Sequence, residues 1–325
     1  MNKKILVTGG AGYIGSVVSR LLLKEGFDVT VVDILNFGGE SIVELMNDPH
    51  FNFIKCDIRN FAEMEKHIAG MDVIVHLAAI VGDPACAKEP ELSVETNVTA
   101  TKELYNLANK LHINHFVYAS TCSNYGKMSD PDVFITEESE LSPLSIYAKT
   151  KVESEMFLLS QPDSNFCIPT CLRFSTVYGL SPRIRFDLTV NEFTKELAMK
   201  RELVIFGEQF WRPYCHVLDL ARAVLTVILA GREKVAFNVF NVGDTSENYT
   251  KQMLVEEISK QIPDARVKYV KKNEDPRDYR VSFEKIRQEL GYGITMRVPE
   301  GISQVKQVIE DGFLLNPDDT KYRNI

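Results

Sequence analysis

No apolar run in this 325-residue chain approaches the roughly 20 residues that a membrane-spanning helix needs. Basic excess is missing too: 37 Lys and Arg stand against 45 Asp and Glu, a formal charge of −8. That balance argues against a general nucleic-acid binder, which needs a basic face, but leaves room for an anionic small molecule held by a few local arginines. Cysteine is scattered, six residues with no Cys-x-x-Cys pair. Cys56, Cys167 and Cys171 lie in strand-like apolar runs and read as small buried hydrophobes, so neither a disulfide nor a metal site is expected. Internal repeats and low-complexity segments are absent. A strand-like run begins within three residues of Met1, leaving no room for a signal peptide, and the cytoplasm is the expected compartment.

What is present is the composition of a globular protein, 45% hydrophobic and 25% charged, long enough to bury a large core and to form two lobes. Strand-like runs at 3–8, 28–32, 52–56, 73–77, 115–120 and 167–173 alternate with helical periodicity near 12–25, 60–69, 91–111 and 145–160. Alternation of this kind predicts an α/β fold, a doubly wound parallel sheet with right-handed crossovers and helices on both faces. Beyond about residue 175 the rhythm loosens. Short strands at 203–206, 235–239 and 266–270 mix with helices near 188–200, 217–230, 250–261 and 299–310. This predicts a first domain over 1–175, a smaller α/β C-terminal substrate lobe over 176–315, and a loose polar tail over 316–325. Elements near 213–242 could return to the first domain.

The first chemical signal is Thr8-Gly9-Gly10-Ala11-Gly12-Tyr13-Ile14-Gly15, lying between the apolar run Lys4–Val7 and the helical run from Ser16. Strand, glycine turn and helix in that order let a backbone approach a pyrophosphate closely, the Rossmann-type arrangement. Asp33 closes the next apolar run, where a carboxylate can accept both ribose hydroxyls of an adenosine and repel a 2′-phosphate. NAD rather than NADP is the expected cofactor.

A second signal is Tyr147-Ala148-Lys149-Thr150-Lys151, which opens a helix after Leu141–Ser145. Tyr147 and Lys151, four apart, share a helical face. An ammonium beside a phenol is expected to lower its pKa toward neutrality, making it a proton acceptor for a hydroxyl. Upstream, the run Phe116–Gly126 ends a strand with Ser120 and Thr121, at the sheet edge where a cofactor lies.

With these pieces the chain resembles the extended short-chain dehydrogenase/reductase family, in particular its nucleotide-sugar epimerases, dehydratases and reductases. The resemblance covers nearly the whole chain. It implies that Gly9, Gly12, Tyr13, Ile14, Gly15 and Asp33 hold the dinucleotide. Asp57 and Ile58 would meet the adenine, and Leu77, Ala78 and Ala79 would pass the nicotinamide ribose. Asn97 would brace the site. Tyr147 is implied as general base, Lys151 as its partner and a ribose contact, and Thr121 as the hydroxyl that polarises a sugar oxygen. The implied first step is oxidation of a sugar C4 hydroxyl, giving a 4-keto sugar. The resemblance also implies a homodimer, with helices near 91–111 and 145–160 pairing into a four-helix bundle.

For the substrate, a nucleotide-diphosphate sugar, the implied contacts are Arg183, Arg185, Asn191, Arg212 and Arg277, since guanidinium forks suit diphosphate oxygens. His216 and Asp219 read as structural ties between the lobes. The family's 4,6-dehydratases carry an Asp-Glu pair after the Thr, where this chain has Cys122 and Ser123. Ordinary 4,6-dehydration is therefore not expected, although a dehydratase variant using the Cys122 thiol stays open. The segments Val81–Cys86, with Val81 beside the sugar, and Leu180–Leu188 resemble a bacterial polysaccharide-associated subset acting on unusual sugars. The same dinucleotide fold also serves non-catalytic NAD-binding scaffolds and reductases of small aldehydes or ketones, and these two functions compete with the nucleotide-sugar reading.

Overall fold

The computed structural model describes residues 2–128, 130, 133–271 and 277–324. Its strands are β1 (Lys4–Thr8), β2 (Asp28–Asp33), β3 (Phe51–Lys55), β4 (Val73–His76), β5 (His115–Thr121), β6 (Ile168–Phe174), β7 (Thr176–Tyr178), β8 (Glu202–Phe206), β9 (Trp211–His216), β10 (Asn238–Val242), β11 (Asn248–Thr250) and β12 (Arg266–Val270). Seven of them form one parallel sheet in the order β10-β6-β5-β4-β1-β2-β3. The order reverses between β1 and β4, which opens a crevice at the carboxyl ends of the strands.

Burial explains why the strands read as continuous apolar runs. Ile5, Val7, Val29 and Val31 pack into the core on one face, while Leu6, Val32 and Ile74 pack on the other. A sheet covered on both sides buries every side chain of its central strands. Fully burying each of these side chains contributes about 1.5–3 kcal/mol.

Helix starts follow local chemistry. Asn60 caps Phe61–Ile68 by accepting from the Glu63 amide, Ser145 caps Ile146–Leu159 by accepting from Ala148, and Thr250 caps Lys251–Gln261 by accepting from Met253. Such caps satisfy amides that the helix itself leaves unpaired. The first helix runs Gly15–Lys24. The long helix expected over 91–111 is broken instead: Pro90–Val94, one π turn at Glu95–Thr99, then Ala100–Lys110.

The second lobe holds a three-stranded sheet, β11-β9-β7, and the parallel pair β12-β8. Its core gathers Tyr178, Val190, Leu197, Ile205, Leu254, Ile258 and Ile302. Helix Val217–Leu229 packs Leu220, Val224 and Val227 into the same core as Val18 and Leu22 of the first helix, and β10 joins the main sheet beside β6. The strand expected at 235–239 is displaced: Arg232–Val235 is a short helix and the strand starts at Asn238. The expected loose tail is docked. The Asp318 carboxylate accepts from buried Lys195 at 2.9 Å and from Arg201 at 2.6 Å, and the Tyr322 carbonyl accepts from the Phe186 amide at 2.8 Å. Polarity alone misleads here, because these polar groups find partners on the second lobe.

Candidate active site

The glycine turn works through close approach. Gly9 has φ +70°, and a Cβ on it would lie 2.8 Å from the Ala78 amide nitrogen; a Cβ on Gly15 would lie 2.2 Å from the Gly9 carbonyl. Only hydrogen fits at either place, so β1, the turn and the first helix are locked together with a bare backbone facing outward. Asp33 supports the same turn, its carboxylate accepting from the Ala11 amide at 3.0 Å and the Leu35 amide at 2.8 Å. Burial raises its pKa, against those amide hydrogen bonds.

The turn forms one wall of a cavity of about 600 Å³ that runs along the carboxyl ends of β3, β2, β1, β4, β5 and β6. Gly9, Gly12, Tyr13, Ile14, Gly15, Asp33, Asp57, Ile58, Leu77, Ala78 and Ala79 all line it, as do Val81, Thr121, Tyr147, Lys151, Arg183 and Arg185. Its volume lies within the range of cofactor clefts, and its crossing of the switch point suits an extended dinucleotide. The residues present fit the group.

Asn97 does not line the cavity; it braces it. From the π turn its amide accepts from the Ile80 amide at 2.8 Å, donates to the Ile80 carbonyl at 3.0 Å and reaches Thr150 at 3.2 Å. A wider helical turn there is what frees the side chain to hold the β4 end against the helix of Tyr147.

At the β5 end, Tyr147 is partly exposed and lines the cavity together with Thr121, whose hydroxyl accepts from the Ser123 amide. Lys151 is buried, donates to the Ala119 carbonyl at 2.8 Å and lies over the Tyr118 ring. The expected lowering of the Tyr147 phenol by Lys151 is not what this arrangement produces. Surrounding protein raises the phenol well above its ordinary value, Cys86 and Asp83 add to the rise, and Arg185 and Thr121 oppose it. Burial lowers Lys151 itself to about 8, because its ammonium loses water and has no carboxylate partner among the described residues.

The arginines divide. Arg185 is chelated by Asp187 at 2.9 and 2.6 Å, and Arg183 lies over the Phe37 ring. Arg212 and Arg277 lie outside the cavity lining: Arg212 donates to the Trp211 carbonyl and faces the Tyr279 ring, and Arg277 pairs with Asp83 at 3.2 Å. Asp275 and Pro276, which precede Arg277 in the sequence, lie outside the described residues. The Tyr279 hydroxyl reaches Ser123 at 3.5 Å, linking this arginine wall to the Thr121 strand end. Asn191, expected among the substrate contacts, is fully buried instead, and its amide is used on Gly179 N, Gly179 O, the Arg185 carbonyl and the Tyr13 hydroxyl. It shapes the loop that carries the arginines.

Cys122 points away from the cavity. Its thiol donates to the Arg173 carbonyl, and burial pushes it far above the ordinary thiol range. A thiol so placed cannot serve a Cys122-assisted dehydration. His216 and Asp219 are structural, as expected: His216 bonds Gln304 at 3.0 Å, and Asp219 accepts from the Thr295 and Met296 amides. Among the described residues no group of three His, Cys, Asp or Glu side chains is placed to hold a metal ion, and no helix is long and apolar enough to cross a membrane.

Several lining residues carry no sequence signal of their own. Phe37, Ser175, Val177 and Asn324 reach the cavity only through the fold, Asn324 from 137 positions beyond its bonding partner Asp187.

Comparison with known proteins bears on this cavity directly. Residues 5–243 match the pattern of the NAD dependent epimerase/dehydratase family. The UDP-glucose 4-epimerase of Corynebacterium glutamicum is 29% identical over 95% of this chain and 94% of its own. A UDP-glucuronate 4-epimerase of Thermodesulfobacterium geofontis is 31% identical over 73% of this chain and 74% of its own. The crystal structure of the Bacillus cereus UDP-glucuronic acid 4-epimerase, in complex with UDP-glucuronic acid and NAD, superposes with a TM-score of 0.83 at 26% identity, covering 95% of this chain and 99% of that one. A dTDP-glucose 4,6-dehydratase of Streptomyces venezuelae with NAD bound gives 0.84 at 26% identity, over 95% and 98%. With its seven-stranded parallel sheet and glycine-walled cavity, the chain belongs to the NAD-dependent epimerase/dehydratase family of extended short-chain dehydrogenases/reductases, and NAD is its cofactor.

Proposed function

We propose that the protein oxidises C4 of a nucleotide-diphosphate sugar by hydride transfer, with a 4-keto sugar as intermediate or product, in the cytoplasmic synthesis of a surface polysaccharide or other unusual sugar. The observation that carries this reading is the convergence of Tyr147, Thr121 and Lys151 on the one cavity that the glycine turn walls, with Lys151 one helical turn from Tyr147. Bound NAD supplies the hydride acceptor, and its oxidised ring brings a positive charge that favours phenolate. Tyr147 takes the C4 hydroxyl proton, and Thr121 hydrogen-bonds the oxygen on which charge develops. Lys151, held by the Ala119 carbonyl, keeps further N–H donors for the nicotinamide ribose and stabilises the phenolate once formed. Asn97 fixes the β4 end against the same helix.

Ser123 and Cys122 offer no acid-base pair for removing water across C5 and C6, which favours epimerase or dehydrogenase chemistry over dehydration. The Arg212–Arg277 wall beyond Ser123 supports a diphosphate ligand over a small aldehyde. The same reading includes a homodimer through helices Ala100–Lys110 and Ile146–Leu159, the second of which leaves Met156 exposed; light scattering tests it.

The deciding experiment is Tyr147→Phe, followed by reduction of bound NAD in a single turnover. Loss of the general base lowers the rate roughly 10²- to 10⁴-fold while NAD affinity changes little. Undiminished turnover would remove Tyr147 from this role.

A further inference from the structure

Beside the glycine turn, on the loop whose Ser181 hydroxyl donates to the Tyr13 carbonyl, the cavity is lined by residues that the reaction chemistry does not use. Arg183 is 7% exposed and stacks its guanidinium 4.1 Å from the ring centre of Phe37, which lies beyond β2 and is itself 48% exposed. Its Nη2 donates to the Arg323 carbonyl at 3.0 Å, whereas its Nε is buried with no hydrogen-bond partner among the described residues. The side-chain oxygen of Asn324 is likewise buried and unmatched, on the same cavity. The neighbouring carboxylate, Asp187, is bound to Arg185 through both oxygens and accepts from the Asn324 amide at 3.3 Å. Two cations therefore share one anion, which leaves a buried positive charge facing the cavity. Burial and the nearby Arg185 lower Arg183 to about 10, the sign of a cation short of a partner.

The backbone that holds Arg183 comes from a segment pinned at three places. Asp318 is tied to Lys195 and Arg201, the Tyr322 carbonyl to the Phe186 amide, and the Arg323 carbonyl to Arg183 itself. A buried guanidinium with a spare N–H on the same cavity as a glycine turn has the chemistry to bind a phosphate oxygen. We propose that Arg183 and the segment 318–324 form a clasp over the adenosine-diphosphate end of the dinucleotide, with Arg183 Nε donating to a pyrophosphate oxygen, so that NAD is retained between turnovers. This rests on the placement of NAD in the cavity and moves Arg183 from the substrate side to the cofactor side.

The test is dissociation of NADH from the full-length protein, followed by fluorescence after an excess of NAD is added. Arg183→Met keeps the stem against Phe37 and removes the N–H; it should speed release roughly 10- to 100-fold, the usual weight of a hydrogen bond to a charged group. Asp318→Ala touches no cavity residue and should speed release several-fold by loosening the segment. Release from both variants within twofold of the unaltered protein would overturn the clasp. If Arg183→Met does not fold, Asp318→Ala decides alone by the same criterion. Gly12→Val tests the underlying placement: loss of NADH binding supports it, and undiminished binding would overturn both the placement and the clasp.

Discussion

The buried pair Glu155–Arg173 yields a prediction whose size follows from its geometry. Glu155 lies on the helix of Tyr147, two turns on, and Arg173 on β6; their side chains are 1% and 4% exposed. Arg173 donates to Glu155 at 2.5, 3.1 and 3.2 Å, the Ser120 hydroxyl donates to the same carboxylate at 2.5 Å, and Arg173 reaches the Tyr125 hydroxyl at 2.7 Å. These bonds fix the catalytic helix to the strand end that precedes Thr121. Glu155→Met leaves a guanidinium in the interior without its carboxylate, and Arg173→Met leaves the converse. Breaking a buried pair on one side costs about 3–5 kcal/mol, whereas replacing both members with apolar groups of similar volume is often near neutral. The two single variants should each lose about that much, and the double variant should lie within about 2 kcal/mol of the original. Urea unfolding followed by the fluorescence of Trp211, the sole tryptophan, measures all four proteins of the cycle. Single losses below about 1 kcal/mol, or losses that simply add, would refute the account of this network.

Two further predictions concern pH. Lys151, lowered from 10.5 to about 8, should put an alkaline limb near pH 8 on kcat/KM that Lys151→Met lacks. Over pH 8–10.5 the unfolded chain holds this proton more tightly than the folded one. The lysine's penalty of about 3 kcal/mol is therefore relieved as pH rises, and stability relative to Lys151→Met climbs while activity falls. An unchanged stability gap from pH 8 to 10 would contradict the burial argument. His115 is buried, its Nε2 2.8 Å from the Thr170 hydroxyl, and burial lowers it to about 3. Since the unfolded chain takes up that proton below 6.5, stability falls with acid by about 2 kcal/mol between pH 6.5 and 5. Unfolding of His115→Gln against the original protein should narrow their gap by that amount, and a constant gap would refute it.

Much of the fold is legible because its signals are local. Runs such as Ile5–Val7 and Asp28–Val32 read as strands since a parallel sheet buries both faces, and the glycine turn reads as a dinucleotide cradle since hydrogen alone fits at Gly9 and Gly15. Misreadings arise where tertiary partners decide. The polar segment after Asn316 resembles solvated chain until Lys195 and Arg201 supply charges for Asp318. Asn191 suits a ligand contact by type, yet Gly179 and Arg185 use its whole amide. The Tyr147–Lys151 spacing correctly gathers the two at one cavity, whereas the direction of the phenol's shift depends on burial that no spacing encodes.

Hydride transfer at the sugar is tested most directly by isotope. The NAD-loaded protein is mixed, in single turnover, with UDP-, GDP-, dTDP- and CDP-hexoses carrying deuterium at C4, and both dinucleotide and sugar are then weighed by mass spectrometry. For one nucleotide class the deuterium should pass to the dinucleotide as the sugar becomes a 4-keto species. Deuterium that stays on the sugar throughout, with the dinucleotide unlabelled across the whole panel, would contradict it.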